Sequence, residues 1–288
     1  MSKRLSQPEN RICADCGASF VTNWAQQLCN PCRYGRASLA NCQTCGRKLG
    51  NYDGVRCWEC RYGPTPEPQA MSSADRAWVA ALTEGEGTFA RAGRGGSLRV
   101  AMTDRDIIDR LHSITGVGTI YSLGKRQAHH RHAWAWEVLR HGSVPLLVAD
   151  LAPLLLNRRR ISAAKVLAEY GIPLPAAQDL EPQSDAAWAW VAGLIEGEGY
   201  IGPAPDGSHR DPRVSASSTD TDVLERLAEL TGVGRIYPRR QRRAHWSPSW
   251  EWQVHRKEDF RYVLSRVLPL LGTRRTERAL YALAEVCG

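Results

Sequence analysis

AWVAALTEGEGTF occupies residues 77–89, and a close copy, AWVAGLIEGEGYI, occupies residues 189–201. Each is an apolar run with small residues that ends in an acid–Gly–acid–Gly turn. The similarity continues downstream, where TGVGTIY at residues 115–121 corresponds to TGVGRIY at residues 231–237. Self-similarity of this extent indicates an internal duplication in which each half carries the same acidic turn.

The two halves also predict the same order of elements. Apolar residues recur at helical spacing in equivalent places: Ile107, Ile108, Leu111 and Ile114, then Val223, Leu224, Leu227 and Leu230. A second pair of stripes follows later in each half: Val144, Leu147, Val148 and Leu151, then Phe260, Val263, Leu264 and Val267. The segments WAW at 134–136 and WEW at 250–252 alternate as strands with one buried face. Each half therefore predicts helix, two strands, helix, two strands and two helices.

Linkers set the predicted boundaries of these halves. Residues 63–72 form a Pro-rich linker, and residues 172–184 form a second linker. We expect the first repeat in residues 73–171, the second in residues 185–288 and two small cysteine modules in residues 1–62. Ser73 and Ser184 stand where a hydroxyl can cap each motif helix.

Composition narrows the class of partner. The formal net charge of +8 and the pI of about 9.1 favour a polyanion, either nucleic acid or a membrane surface. No apolar run of about 18 residues is present, so we expect no membrane-spanning helix. The start, MSKRLSQPENR, lacks an apolar signal core. We therefore expect a protein of the reducing cytoplasm.

Eight of the nine cysteines form four C-x-x-C pairs: Cys13 with Cys16, Cys29 with Cys32, Cys42 with Cys45, and Cys57 with Cys60. In a cytoplasmic protein such pairs predict zinc rather than disulfides. Twelve residues separate the first two pairs and eleven separate the last two, which favours two compact four-cysteine sites, each with one structural Zn²⁺. Redox dithiols and an interleaved pairing remain alternatives.

The cysteine modules have two interpretations. Arginines and a lysine near the pairs favour contact with DNA, whereas a solubilising or protein-docking appendage is the alternative. Four thiolates leave no open position on zinc, so we expect no catalysis there. Cys287 stands alone and is interpreted as an inert bystander.

Both acidic turns resemble the LAGLIDADG motif of the homing endonucleases. Residues 79–87, VAALTEGEG, and residues 191–199, VAGLIEGEG, stand in its nine positions. The resemblance covers about three quarters of the chain, because the downstream segments follow in the family's order. It implies an α+β fold in which two pseudo-symmetric αββαββα repeats form a monomeric saddle, next to the N-terminal zinc-binding region.

The resemblance also implies the catalytic acids. Glu86 and Glu198 occupy the eighth motif position, which usually carries Asp in the family and would hold a catalytic Mg²⁺. Carboxylate oxygens are hard ligands suited to this cation, which offsets charge on a phosphate and activates water. One acid per repeat implies one cut per DNA strand and staggered ends. Glu84 and Glu196 are interpreted as structural groups.

Basic residues are carried over by position. Arg158 and Arg274 lie five residues beyond the prolines of the two matching PLL segments, where the family places a basic residue near the active site. They would steady the cleaved phosphate or the attacking water. The alternative is that the arginine runs at 158–160 and 274–275 are solvated.

The family binds DNA with strands in successive major grooves, a geometry that suits a two-stranded ribbon. The candidate DNA-binding residues are Arg91, Arg94, Arg99, Lys125, Arg126, Arg131, Arg213, Arg239, Arg240, Arg242 and Arg243. The densest tract, residues 239–243, is more typical of phosphate contacts than of base contacts. His129, His130 and His132, at the equivalent hairpin, are interpreted as DNA contacts or exposed residues.

The implied function is a site-specific endonuclease for double-stranded DNA with a long recognition site. Three alternatives stay open: a non-cleaving DNA-binding regulator, an intron RNA maturase on the same scaffold, and a zinc-ribbon interaction protein. Acids present in both repeats favour cleavage.

Overall fold

The structure is a computed structural model that describes residues 4–12, 19–24, 66–92, 95–125, 127–139, 142–203, 212–240 and 247–287. The chain divides into two compact units, Met1–Thr65 and Pro66–Gly288. In the first unit, β1 (Arg4–Ile12) pairs antiparallel with β2 (Ser19–Trp24).

The two zinc sites expected in the first unit stay a prediction, because the structure does not describe their ligands. All eight paired cysteines lie outside the described residues: Cys13, Cys16, Cys29, Cys32, Cys42, Cys45, Cys57 and Cys60. Neither the pairing of the C-x-x-C motifs nor their metal content is therefore tested by the structure.

The second unit contains both repeats. The first repeat consists of α1 (Ser73–Glu86), β3 (Gly87–Ala92), β4 (Gly95–Met102), α2 (Arg105–Thr115), β5 (Thr119–Gly124), β6 (Ala133–Val138), α3 (Ser143–Leu151) and α4 (Asn157–Ala168). The second consists of α5 (Asp185–Glu198), β7 (Gly199–Pro203), β8 (Pro212–Ser218), α6 (Thr221–Thr231), β9 (Arg235–Pro238), β10 (Trp250–Val254), α7 (Lys257–Val267) and α8 (Thr273–Cys287). A 3₁₀ turn, Ala152–Leu154 or Leu268–Leu270, joins the last two helices of each repeat.

Each repeat folds its four strands into one antiparallel sheet with the same topology. The strand order is β3-β4-β6-β5 in the first and β7-β8-β10-β9 in the second. The predicted α+β class and the αββαββα order are confirmed, with a second helix at the end of each repeat.

The helices cover one face of each sheet and leave the other face open. Trp136 and Trp252 on the middle strands are fully buried against the helices, as their alternating pattern predicted. Their indole N–H groups donate to the carbonyl oxygens of Val117 and Val233, at 2.8 and 3.0 Å. Apart from Ile114, which is partly buried, every residue of the four predicted apolar stripes is buried. The core positions of the duplication are therefore confirmed.

One of the two N-caps differs by one residue from the prediction. Ser72, not Ser73, caps α1, because residue 72 is still extended and its hydroxyl accepts from the backbone N–H of Asp75 at 3.0 Å. Ser184 caps α5 as predicted and accepts from Ala187 at 3.1 Å. Both hydroxyls satisfy a backbone donor that has no partner within the helix.

No helix within the described ranges is both long enough and apolar enough to cross a bilayer.

Candidate active site

The two motif helices, α1 and α5, pack directly against each other through small residues. Ala80, Ala81, Ala192 and Gly193 are all buried at this contact. A Cβ placed on Gly193 would collide with the carbonyl oxygen of Trp78 on the other helix. The glycine therefore sets how closely the two backbones approach.

The C-terminal ends of the two helices bring one glutamate from each repeat to the crossing. A Cβ on Gly85 would lie 3.1 Å from Cγ of Glu198, and a Cβ on Gly197 would lie 3.4 Å from Cγ of Glu86. The side chain of each glutamate thus lies next to the glycine of the opposite motif. The structure brings together the two acids that the resemblance selected, and their metal-binding role stays a prediction.

Burial shapes the charge state of both acids, and the charge of Glu198 acts in addition on Glu86. Burial, followed by the charge of Glu198, raises the pKa of Glu86 to about 7. Burial also raises the pKa of Glu198. Positive charge on Arg159 and Arg275 opposes both shifts. Because the charge of Glu198 raises the pKa of Glu86, a cation bound by both carboxyl groups would relieve this repulsion.

The earlier motif acids, Glu84 and Glu196, hold the start of the last helix in their own repeat. The backbone N–H of Leu156 donates to Oε1 of Glu84, and that of Gly272 donates to Oε1 of Glu196 at 2.6 Å. Both side chains are buried. Burial raises the pKa of Glu84 to about 8 and that of Glu196 to about 7, against the opposing hydrogen bonds. Their position agrees with the structural interpretation.

The predicted basic residues form ion pairs across the repeats, and the charge of Arg158 also lowers the pKa of Glu198. Arg158 forms an ion pair with Asp220 at 2.6 Å, and Arg274 donates to both carboxylate oxygens of Asp104. Arg131, predicted to contact DNA, also donates to Asp104 at 3.1 Å. These contacts place Arg158 and Arg274 at the site's edge, each with an acidic partner.

The next residue in each arginine run lies deeper. Arg159 donates to the carbonyl oxygens of Glu84 and Gly85, at 3.1 and 3.3 Å. Arg275 is buried and donates to the carbonyl oxygen of Glu196 at 3.3 Å. Burial lowers the pKa of Arg275 to about 10, which leaves it charged at neutral pH. Both arginine runs are evident in the sequence, but linear spacing does not show which residue of each run faces inward.

A second repeated motif, which was not among the predicted site residues, supplies acidic side chains next to the site. Thr-Asp-x-Asp stands at residues 103–106 and again at residues 219–222, where it spans the starts of α2 and α6. The second aspartate of each copy accepts a hydrogen bond from the first residue of the last helix in the other repeat. Asp106 accepts from the backbone N–H of Thr273 at 2.7 Å, and Asp222 from that of Asn157 at 3.0 Å. The repetition of this acidic pair in both halves was the signal that could have found it.

Nine of the eleven predicted DNA-binding residues separate into three groups. Arg99 and Arg213 lie on the open faces of their sheets, because they alternate with buried residues of β4 and β8. Lys125, Arg239 and Arg240 are exposed near strand ends. Arg94, Arg126, Arg242 and Arg243 lie outside the described residues.

Arg91 lies on the other face of its sheet from Arg99, and its contact with DNA stays a prediction. It pairs in register with Gly96, whose Cβ would meet Val166 of α4, so both positions lie on the helix-covered face. The Arg91 side chain forms an ion pair with Glu169 at 3.6 Å. The strand alternation of β3 thus turns it away from the open face that carries Arg99.

The crossing offers a cation two carboxylates, one from Glu86 and one from Glu198. Within the described ranges, no group of three or more His, Cys, Asp or Glu residues is arranged to hold a metal ion. Mg²⁺ commonly takes one or two carboxylates and completes its shell with water and phosphate oxygens. Glu86 and Glu198 fit that donor set when a nucleic acid supplies the phosphate.

Comparison of the whole architecture with solved structures identifies the fold. The structure is similar to the LAGLIDADG meganuclease I-AabMI bound to uncleaved DNA, with a TM-score of 0.53 and 14% sequence identity over 74% of this chain and 90% of that chain. The chain has the LAGLIDADG fold.

Two further LAGLIDADG homing endonucleases, each crystallised with target DNA, are also similar in structure. I-LtrWI matches with a TM-score of 0.46 and 13% identity over 74% of this chain and 89% of its own. I-GzeII matches with a TM-score of 0.46 and 10% identity over 76% of this chain and 96% of its own. No protein-family model matches the sequence, and no curated protein matches it.

Proposed function

We propose that this protein is a site-specific, divalent-metal-dependent endonuclease of double-stranded DNA. The observation that carries the proposal is the meeting of Glu86 and Glu198, one from each repeat, at the crossing of α1 and α5. The LAGLIDADG fold and the net charge of +8 support it. The similar structure of I-AabMI is bound to uncleaved DNA, which suggests the same partner here.

The proposed reaction is hydrolysis of one phosphodiester bond in each strand. Mg²⁺ held by Glu86 and Glu198 would offset negative charge at the reacting phosphate and activate water. The two glutamates act as its ligands in their ionised form. Arg159 and Arg275 favour that form, because their positive charges lower the pKa of both carboxyls. Glu84 and Glu196 hold the helices that carry these arginines.

The basic residues at the edge of the site have a positioning role in this proposal. Arg158 and Arg274 stay fixed by Asp220 and Asp104, next to the strand ends from which DNA would be gripped. A guanidinium in a fixed orientation is well placed to donate hydrogen bonds to a phosphate of the DNA backbone.

Structural Zn²⁺ in two N-terminal four-cysteine sites completes the proposed set of cations. The first site would use Cys13, Cys16, Cys29 and Cys32, and the second would use Cys42, Cys45, Cys57 and Cys60. Metal analysis of the purified chain tests both sites by an expected ratio of two zinc ions per chain. A chain purified without zinc would favour the redox dithiol alternative.

Cleavage of a randomised duplex library tests the proposed function. The wild type with Mg²⁺ is compared with E86Q/E198Q, which keeps the size of both side chains and removes both charges. Cuts at one recovered long site that disappear in the double variant support the proposal. E86Q and E198Q alone should each lower cleavage of both strands, because both acids hold the Mg²⁺. Duplex binding without cuts by the wild type overturns the endonuclease proposal and favours a DNA-binding regulator. Selective RNA binding favours a maturase.

A further inference from the structure

The open face of the second sheet carries an acidic residue in the middle of a surface that should attract DNA. Glu251 stands on β10, paired in register with Ser217 of β8 and Tyr237 of β9. The next residue, Trp252, is fully buried against the helices, so Glu251 points to the open side. A carboxylate on such a face repels phosphates unless neighbouring groups neutralise it.

Two donors lie within hydrogen-bond distance of this carboxylate, a third lies 4.0 Å away, and a fourth continues the chain. Nη2 of Arg213 lies 2.7 Å from Oε1 of Glu251, and Nε of Arg239 lies 4.0 Å from Oε2. The Gln253 amide donates to Oε2 at 2.7 Å. His255 Nε2 lies 2.7 Å from Oε1 of Gln253 and donates to it. We call this set, Arg213, Arg239, Glu251, Gln253 and His255, the Glu251 cluster.

The two arginines of the cluster differ in exposure. The Arg213 side chain is 12% exposed and fixes Glu251 from the neighbouring strand. The Arg239 side chain is 47% exposed at the end of β9, so most of its donors remain free to meet a ligand. An arginine side chain that is ordered by an ion pair on one side and open to solvent on the other loses little rotamer freedom when it binds a ligand. Its planar fork matches the O6 and N7 acceptors of guanine in the major groove.

The first repeat has no equivalent cluster at the matching described positions. Val100 pairs with Trp136 as Ala216 pairs with Trp252, so Ser97 corresponds to Arg213 and Ala135 to Glu251. The duplication has therefore diverged on its two open faces while the strand topology is the same. Two open faces with different side chains would favour different base sequences in the two half-sites.

We propose that Glu251 is a specificity-determining residue that positions Arg239 to read guanine in the half-site bound by the second repeat. This inference rests on the DNA binding of the proposed function. It does not rest on cleavage, because the Glu251 cluster acts on base choice alone.

Selection of randomised duplex DNA by binding, in EDTA and at several salt concentrations, tests this role. The wild type should prefer guanine at one or two adjacent positions of one half-site by about tenfold. In E251Q we expect that preference to fall to within about threefold, with the other half-site unchanged. The slope of log affinity against log salt on random DNA should steepen by about 1, because a freed arginine gains a phosphate contact.

Two further variants separate positioning from general damage. R239K keeps the charge but loses the planar fork, so it should lose the guanine preference with an unchanged salt slope. E258Q removes the same charge from an exposed position in the first turn of α7 and should leave both measurements as in the wild type. An E251Q or R239K variant that selects guanine as stringently as the wild type overturns the inference alone. A wild type that selects no sequence overturns both this inference and the proposed function.

Discussion

Arg274 of the second repeat donates three hydrogen bonds to Asp104 of the first, at 2.6 to 2.9 Å. The Asp104 side chain is only 4% exposed, and Arg131 makes a further contact with it. The equivalent pair, Arg158 and Asp220, has a single ion pair and is more open, with side chains 56% and 23% exposed. Related positions in a duplicated fold thus carry unequal electrostatic interactions.

Asp104→Asn should destabilise the protein much more than Asp220→Asn. Removing one partner of a buried ion pair leaves the other charge poorly compensated, so D104N should lower the free energy of unfolding at pH 7 by roughly 3 kcal/mol. D220N should lower it by under about 1 kcal/mol, because its pair is exposed. Urea denaturation of both variants measures the difference, and equal losses would contradict the asymmetry.

The same aspartate predicts an acid-sensitive component of stability. Burial alone would raise the pKa of Asp104, but hydrogen bonds and charge from Arg274 and Arg131 hold it below its ordinary value. A carboxyl with a lowered folded pKa stabilises above its unfolded pKa of about 4 and loses that contribution as pH falls further. The wild type should therefore lose its advantage over D104N between about pH 4 and the lower folded pKa. An advantage that persisted well below that range would argue against the pairing.

Glu86 and Glu198 should oppose stability while they serve catalysis. The folded pKa of Glu86 is raised to about 7, so the folded state binds a proton more tightly than the unfolded state. Without divalent metal, the free energy of unfolding of the wild type should fall as pH rises from about 4.5 to about 7. E86Q/E198Q should be more stable at pH 8 by on the order of 1–2 kcal/mol, after allowance for solvent screening, and should not cleave DNA.

Cleavage by the wild type should rise over the same pH range, because a protonated carboxyl is a poor metal ligand. Thermal unfolding in EDTA and initial cleavage rates in Mg²⁺ give the two profiles. A wild type as stable as the double variant at pH 8 would mean that the acids do not repel each other in solution.

Glu84 should tolerate glutamine and not alanine. Its pKa of about 8 means that the side chain is largely protonated at neutral pH, so Gln keeps the size and the acceptor without removing a charge. E84A leaves the buried N–H of Leu156 without its partner, which costs about 1–3 kcal/mol. Denaturation at pH 7 should place E84Q within about 1 kcal/mol of the wild type and E84A well below it. Equal losses in E84Q and E84A would show that the charge, not the hydrogen bond, matters.

Gly193→Ala should separate the motif helices. The added methyl group would overlap the carbonyl oxygen of Trp78, so we expect a loss of about 1–3 kcal/mol together with reduced cleavage. Gly197→Ala is a matched control on the same helix, because its Cβ would find its nearest neighbour at an ordinary 3.4 Å. Denaturation curves of the two variants decide the matter, and a stable G193A would mean that the crossing can widen without cost.

Arg275→Lys should affect the reaction more than binding. Lysine keeps the charge but cannot reproduce the guanidinium donors that reach the carbonyl oxygen of Glu196. We expect Mg²⁺-dependent cleavage to fall at least about tenfold, and affinity for the recovered site in EDTA to change less than about threefold. R266K, an exposed arginine on α7, serves as the control. A parallel fall in binding and cleavage would place Arg275 in DNA binding instead.

The duplicated apolar pattern was sufficient to predict the core and the order of elements. On an amphipathic helix, residues such as Leu111 and Val263 are buried only when their face of the helix points to the core. On a strand, the alternation in WAW and WEW likewise fixes which face is buried. The motif acids could be located for the same reason, because they follow directly on the buried run of each motif helix. The cap of α1 was misplaced by one residue, since adjacent serines at 72 and 73 offer the same chemistry.

The contacts that complete the site could not be predicted from local sequence. Arg158 and Arg159 are adjacent and chemically identical, and only the direction in which α4 presents them distinguishes the inward residue. The partners Asp104 and Arg274 are 170 residues apart. Arg91 shows the same limit, because a hairpin register decides which face of the sheet a side chain occupies.

The contacts of Asp106 with Thr273 and of Asp222 with Asn157 also bear on how the molecule came to be one chain. Each half caps a helix of the other, so a half expressed by itself would leave an uncapped helix start and an exposed apolar motif helix. The two copies should therefore unfold together in one cooperative transition. The two open faces could therefore diverge separately in sequence, whereas each half continues to depend on the other for its folding.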